Sequence, residues 1–272
     1  MESRKKYCTA VVLAAGSGKR MGGQIPKQFM LLGEKPVLWY SLHIMEQSAI
    51  IDDVILVTGP DAIDYVREQI VERYHFQKVR AVVPGGAERY ESVYHALLSI
   101  KERNGGHDGY VFIHDGARPF VNQEILQSLY TSVQETKACV TATKVKDTIK
   151  VSNAAGIVVE TPDRSTLWAV QTPQVFSREL ITRAYELLME QLPDLVENGI
   201  TVTDDAMVVE TMCSQPVTLV EGSYRNIKLT TPEDMLFAEA ILRKTLHNRA
   251  LLNSFIKAVK KLGKKLKKVI DR

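Results

Sequence analysis

The sequence predicts an α/β fold organised around one mostly parallel sheet. Three observations carry this. Apolar strand-like runs recur at residues 8–14, 53–58, 78–83, 110–114 and 138–143. Helix-like stretches near 36–48, 60–73, 88–103 and 122–136 separate them. Alternation at that spacing favours right-handed strand–helix–strand crossovers and parallel pairing. Segments rich in glycine, proline and charge stand at the carboxyl ends of several runs, where such sheets hold their ligands.

With 272 residues, 45% hydrophobic and 25% charged, the chain can bury a substantial core in one large domain or two small ones. Met1 to Tyr7 is polar and the next apolar run is only strand-length. Neither a leader nor a membrane span is expected, and the cytoplasm is the expected location. Cys8, Cys139 and Cys213 are too widely spaced for a metal site or a disulfide framework. The six histidines form no zinc-like cluster. The net charge of +3 is uneven: from Arg243 onward eleven Lys/Arg face one acid, which leaves about −7 for everything before it.

The first run ends at Ala14-Ala15-Gly16 and continues through Gly18, Lys19 and Arg20, with Lys27 a little further on. Small residues let an anion reach peptide N–H groups, and three cations stand close by in sequence, so a polyphosphate site is expected. Neither common phosphate loop matches. A dinucleotide fingerprint needs a third glycine where Met21 stands and an acid about 20 residues on, and a Walker loop needs Ser or Thr where Arg20 follows Lys19.

After the third run come Gly85-Gly86 and then Ser92. Alone this could be a simple turn; on the same sheet edge as the first loop it reads as part of a binding site. The fourth run ends at His114-Asp115, followed by Arg118. A carboxylate at such a tip suits Mg²⁺ shared with substrate phosphates, the alternative being an ion pair with neighbouring Lys/Arg.

From about 141 to 166 the pattern changes. Val145–Val151 and Gly156–Glu160 alternate like two strands around Ser152–Ala155, and a β-hairpin arm is expected to project and pair with a second copy of the chain. Trp168–Gln174 then leads into a helix at 177–192. Asp204-Asp205 begin another, either as favourable dipole charges or as substrate contacts. Residues 216–220 and 224–229 read as two strands, the second carrying Lys228, and Thr230–Asp234 opens a capped helix.

Six linked motifs now resemble a known family. They are A-A-G-S-G-K-R-M-G with P-K-Q, G-G-A-E-R with S-V, H-D-G-A-R-P-F, V-K-D-T-I-K, D-R-S-T-L-W-A-V-Q-T-P-Q and N-I-K-L-T-T-P-E-D. In this order they resemble the 2-C-methyl-D-erythritol 4-phosphate cytidylyltransferases, across about residues 8–242. The resemblance implies a Rossmann-like nucleotidyltransferase sheet with a projecting β-hairpin arm, and a homodimer formed through that arm. It implies transfer of CMP from CTP to a sugar-alcohol phosphate, with Mg²⁺ as cofactor.

By position, Arg20 and Lys27 would stabilise the triphosphate and the transition state. Ala14, Ala15, Gly16 and Gly18 would line the nucleotide, and Gly85, Gly86 and Ser92 would address the base. Asp115 would be the Mg²⁺ ligand. Arg118, Thr148, Thr172 and Lys228 would surround the acceptor phosphate, with Lys228 also catalytic, and Arg164 would reach the partner subunit's site. Lys144 stands where the family often has Pro. The basic amphipathic extension, 243–272, has no counterpart in the resemblance; it reads either as a solvated terminal helix resting on the body or a partner, or as a binder of an anionic surface, lipid or nucleic acid. Ribitol-5-phosphate cytidylyltransferase is the nearest rival, and a nucleotide-binding regulator tethered by its tail is a rival of another class.

Overall fold

A computed structural model describes residues 5–16, 25–104 and 108–245. The first half of the chain supplies β1 (Tyr7–Ala14), the short pair β2 (Leu31–Leu32) and β3 (Lys35–Pro36), and α1 (Val37–Gln47). Then come β4 (Asp53–Thr58), α2 (Ile63–Val66) with a π-turn after it, β5 (Val79–Pro84) and α3 (Arg89–Asn104). Next are β6 (Gly109–Asp115), α4 (Gln123–Thr136), β7 (Ala138–Lys144) and the hairpin β8 (Val151–Ser152) and β9 (Val158–Glu160). The chain continues through β10 (Trp168–Ser177), α5 (Arg178–Glu197), α6 (Asp205–Cys213), β11 (Thr218–Glu221) and α7, residues 232–245.

Seven strands form one sheet in the order β11-β7-β10-β6-β1-β4-β5. The pairs β6-β1, β1-β4, β4-β5 and β7-β11 are parallel, while β10 runs antiparallel between β6 and β7. The expected α/β class and mostly parallel sheet are what the chain adopts. Strands β4 and β6 are buried along their whole length, as strands covered on both faces must be. Val12, Leu38, Leu42, Phe112 and Leu129 pack on one face, and Val11, Leu97, Ile113, Phe176 and Tyr185 on the other. Burying each such side chain contributes roughly 1.5–3 kcal/mol.

Three local readings are corrected. Trp168–Ser177, expected only to lead into a helix, is a ten-residue strand at the centre of the sheet's second half. Its Pro173 lies where the register with β7 shifts, between Val170 and Gln174, so no ladder bond is asked of the missing N–H. Residues 224–229, expected to be a strand, form a turn and an irregular segment instead. Their polar groups go elsewhere: Leu229 N–H donates to the Ala117 carbonyl, and the Asn226 side-chain amide donates to Gln171 Oε1 and the Thr172 carbonyl.

The third correction concerns the arm. Thr141 to Lys144 finish β7 inside the central sheet, and 145–150 are irregular; pairing is confined to Val151 with Glu160 and Ser152 with Val158. Asn153 accepts from Ala155 N–H and Ile157 N–H to close the turn. Ile157, Val158 and Val159 are all more than half exposed.

Helix α7 begins as expected. Asp234 accepts from the Thr230 and Thr231 N–H groups, which places a carboxylate over the helix start. Beyond Thr245 the basic extension lies outside the described residues. Among the described residues no helix is long and apolar enough to cross a membrane.

Candidate active site

In the sheet β6 and β1 are neighbours and β4 lies between β1 and β5, and the loops leaving β1, β5 and β6 meet at one cavity of about 480 Å³. Its wall includes Ala14 at the end of β1 with Ala15 and Gly16 after it, Gly86 to Arg89 and Ser92 after β5, and Asp115 and Ala117 at the end of β6. Lys27, Gln28 and Lys228 complete it.

The first loop is held from within. Gln28, 4% exposed, donates through Nε2 to the Ala14 carbonyl at 2.7 Å and to the Gly16 carbonyl at 3.1 Å. This anchors the short turn Lys27–Phe29 against the end of β1 and brings Lys27 to the cavity wall. The second loop presses against the first. A Cβ at Gly85 would lie 2.4 Å from the Ala15 Cβ and 2.9 Å from Ser92 Oγ, so the approach of the loops requires glycine there. Ser92 Oγ accepts from the Gly86 N–H and donates to the Glu88 carbonyl. Its hydroxyl therefore shapes the turn.

Asp115 is the electrostatic centre. Lys228 Nζ lies 2.8 Å from its Oδ2, Arg89 Nε 3.6 Å from Oδ1 and Arg118 Nε 3.9 Å from Oδ2. Burial works against the carboxylate's charge, but Arg89, then Lys228 and Arg118, overcome it and hold its pKa well below the usual carboxylate range. Arg118 donates through Nη1 to the Asn226 carbonyl, while its buried Nε has no hydrogen-bond partner.

One residue of this site escaped the sequence, Arg89, noted only as part of a motif; its partner is Asp205, expected either as a dipole charge or as a substrate contact. Asp205 is 0% exposed and takes both arms of the Arg89 guanidinium, at 2.8 and 2.7 Å, with the Tyr185 hydroxyl at 2.6 Å on Oδ1. Burial opposes the Arg89 charge, and Asp205 outweighs it, so the guanidinium is held firmly protonated. Asp204 caps α6 by accepting from Met207 N–H. Gln174 ties that cap to β10, donating to Asp204 Oδ2 and accepting from Ala206 N–H. The paired acids are thus a helix cap and a buried ion pair.

His114, fully buried beneath Asp115, has its pKa pushed down to about 4 by burial. The unfolded chain takes up this proton near pH 6.5 and the folded protein only near 4, so the unfolded state binds more protons across that window. Stability therefore falls as pH drops from about 6.5 to about 4, by roughly 3 kcal/mol from this group. Urea midpoints across that range should drop more steeply for the wild type than for His114→Gln.

Of the expected site residues, Ala14, Ala15, Gly16, Lys27, Gly86, Ser92, Asp115 and Lys228 line the one cavity, with Gly85 packed behind it. Arg118 and Thr172 adjoin it through Asp115. Thr148 and Arg164 are exposed on the arm and line no part of it; Arg164 donates to the Lys146 carbonyl. Gly18, Lys19 and Arg20 lie outside the described residues.

The residues present suit a divalent cation in a limited form. No cluster of three His, Cys, Asp or Glu fit for a metal occurs among the described residues. Asp115, with its oxygens shared by Lys228 and two arginines, can offer one ligand to an ion that substrate phosphates also hold.

A cavity at the carboxyl edge of a parallel sheet, walled by close-packed backbone and facing lysines and an arginine, is the architecture of a nucleotidyltransferase. A sequence model of the family 2-C-methyl-D-erythritol 4-phosphate cytidylyltransferase matches residues 8–244. The chain is 50% identical over 235 residues to the protein of that name from Lachnospira eligens, covering 86% of this chain and 99% of the relative. It is 47% identical over 236 residues to the one from Lachnoclostridium phytofermentans, covering 87% and 96%. Among solved structures it is similar to 4-diphosphocytidyl-2C-methyl-D-erythritol synthase from Anaerococcus prevotii, with a TM-score of 0.73, 34% identity and coverage of 88% and 97%. The chain belongs to the 2-C-methyl-D-erythritol 4-phosphate cytidylyltransferase family.

Proposed function

We propose that this protein transfers CMP from CTP to 2-C-methyl-D-erythritol 4-phosphate and releases pyrophosphate, a step of non-mevalonate isoprenoid synthesis. The observation that carries this reading is the meeting of the two glycine-bearing loops with Lys27, Lys228 and Asp115 at one cavity, in a chain of this family.

A phosphate oxygen of the acceptor attacks the α-phosphorus of CTP. The new P–O bond forms as the bond to the β-phosphate oxygen breaks, and pyrophosphate leaves with that electron pair. The attacking oxygen is already anionic, so no general base is needed. Catalysis is then positioning and charge stabilisation. Lys27 and Arg20 neutralise charge on the triphosphate and on the departing pyrophosphate. Backbone N–H groups of Gly16 and Gly18 meet phosphate oxygens, and the Gly85-Gly86 turn, shaped by Ser92, addresses the cytosine. Lys228, at the cavity wall, receives the acceptor phosphate, and Arg118, paired with Asp115 behind it, adds positive charge to that end. Thr148 and Arg164 act in the partner subunit's site, the exposed apolar face of the arm being covered in a homodimer.

Bound Mg²⁺ supplies further charge neutralisation on the phosphates, and Asp115 is the carboxylate placed to share it. The nucleotide comes from the cytoplasmic pool, and we assign the protein to that compartment.

Pyrophosphate release with CTP and Mg²⁺ should occur with methylerythritol phosphate and be at least about 10²-fold slower with ribitol 5-phosphate, since a pocket built for one set of hydroxyls leaves polar groups unpaired with another. Equal rates would defeat the acceptor assignment, and no release with either would defeat the function.

A further inference from the structure

We propose that His114 is a positioning residue for the acceptor half of the site: it fixes the Thr172 hydroxyl so that Thr172 anchors the backbone of Asp115. This deepens the cytidylyltransferase reading and rests on it. His114 lies at the end of β6, 0% exposed, with Nδ1 3.1 Å from Thr172 Oγ1 and Nε2 3.2 Å from the Arg118 carbonyl. Thr172 Oγ1 is also 3.0 Å from the Asp115 N–H.

For the neutral ring these three contacts admit one proton arrangement. The Arg118 carbonyl can only accept, so Nε2 of the neutral ring carries the hydrogen. Nδ1 then presents a lone pair, and the Thr172 hydroxyl, which can do either, donates to it. Its oxygen accepts from the Asp115 N–H. Protonating Nδ1 instead would set a bare nitrogen against the lone pairs of the Arg118 carbonyl.

One imidazole thus secures both sides of the Asp115–Arg118 turn, from β10 through Thr172 and directly through the Arg118 carbonyl. The spacing of Asp115, Lys228 and Arg118 depends on that turn. Thr172, only 5% exposed and with its hydroxyl engaged at both ends, serves in this arrangement as a bridge within the protein.

The test separates the two links. A Gln side chain can place its amide near Nε2 and keep the donor to Arg118, but it offers Thr172 no acceptor. Thr172→Val removes the same link from the other side. His114→Gln, Thr172→Val and the double variant should each lower kcat/KM for methylerythritol phosphate by a similar factor of about 10–100, the scale of a misplacement near 1 Å. KM for CTP should stay within about twofold of wild type, a smaller change than a kcal/mol at the nucleotide. Thr172→Ser should recover most of the loss, because the hydroxyl returns. Multiplying losses in the double variant, an equal rise in the CTP KM, or a His114→Gln enzyme as active as wild type would each overturn the proposal.

A second measurement does not depend on the acceptor's identity. In protein carrying ¹⁵N-labelled histidine, the ring resonances missing from His114→Gln should show Nδ1 unprotonated and Nε2 protonated. Thr172→Val should shift that Nδ1. A protonated Nδ1 would overturn the arrangement whatever the enzyme's substrate proves to be, whereas failure of the wild type to turn over methylerythritol phosphate would bear on the functional reading alone.

Discussion

Lys27→Ala should lower kcat by about 10² or more, the scale seen when one preorganised charge-stabilising group is removed from a site of developing charge. Lys27 stands at the cavity wall on a turn that Gln28 locks to the end of β1, so in the proposed reaction its backbone is fixed where its ammonium would meet the triphosphate. The loss should fall more on kcat than on the KM for CTP, because negative charge on the departing pyrophosphate is greatest in the transition state. Lys27→Arg should recover only part of the rate, since a planar fork does not reproduce a compact ammonium. Steady-state pyrophosphate release measures all three enzymes, and a Lys27→Ala turnover within a factor of two of wild type would remove Lys27 from the reacting groups.

Asp205→Ala should destabilise the fold by about 3 kcal/mol, at the low end for breaking a buried pair. The Arg89 guanidinium left behind, whose side chain is 29% exposed, can recover some solvation, which keeps the loss at that end of the range. The Tyr185 hydroxyl loses its acceptor as well. The urea midpoint should fall with little change in slope. Released from Asp205, Arg89 is free to turn towards Asp115, 3.6 Å away, and compete with Lys228 there. The KM for the acceptor should therefore rise in the protein that remains folded. A midpoint shift below about 1 kcal/mol, the range of an exposed pair, would show that this pair is not a buried support of the site.

Much of this architecture was legible in the sequence because it rests on local signals. Val, Ile and Leu runs announce β1, β4 and β6, and glycine pairs announce the loops that must approach one another. β10 hid because Gln171, Thr172, Pro173 and Gln174 look like a loop to any rule based on apolar alternation. Those polar side chains are buried only because Asn226, His114 and Asp204 receive them. Residues 224–229 misled in the opposite sense, their alternation serving a turn tied to Ala117 and Gln171. The bond between Arg89 and Asp205 joins positions 116 residues apart, which no spacing within either motif could reveal.

The position of β10 also dictates a sequence of events during synthesis. Because β10 separates β6 from β7, β7 cannot dock on the sheet when it leaves the ribosome and must wait for residues 168–177. A nascent chain ending before Trp168 can already join β1, β4, β5 and β6, and so bring the two glycine loops together. It lacks Thr172, Asp205 and Lys228. The backbone of the two glycine loops can thus meet before the residues that brace Arg89 and Asp115 exist, and the unpaired edge of β6 is the surface a young chain most needs to keep from strangers.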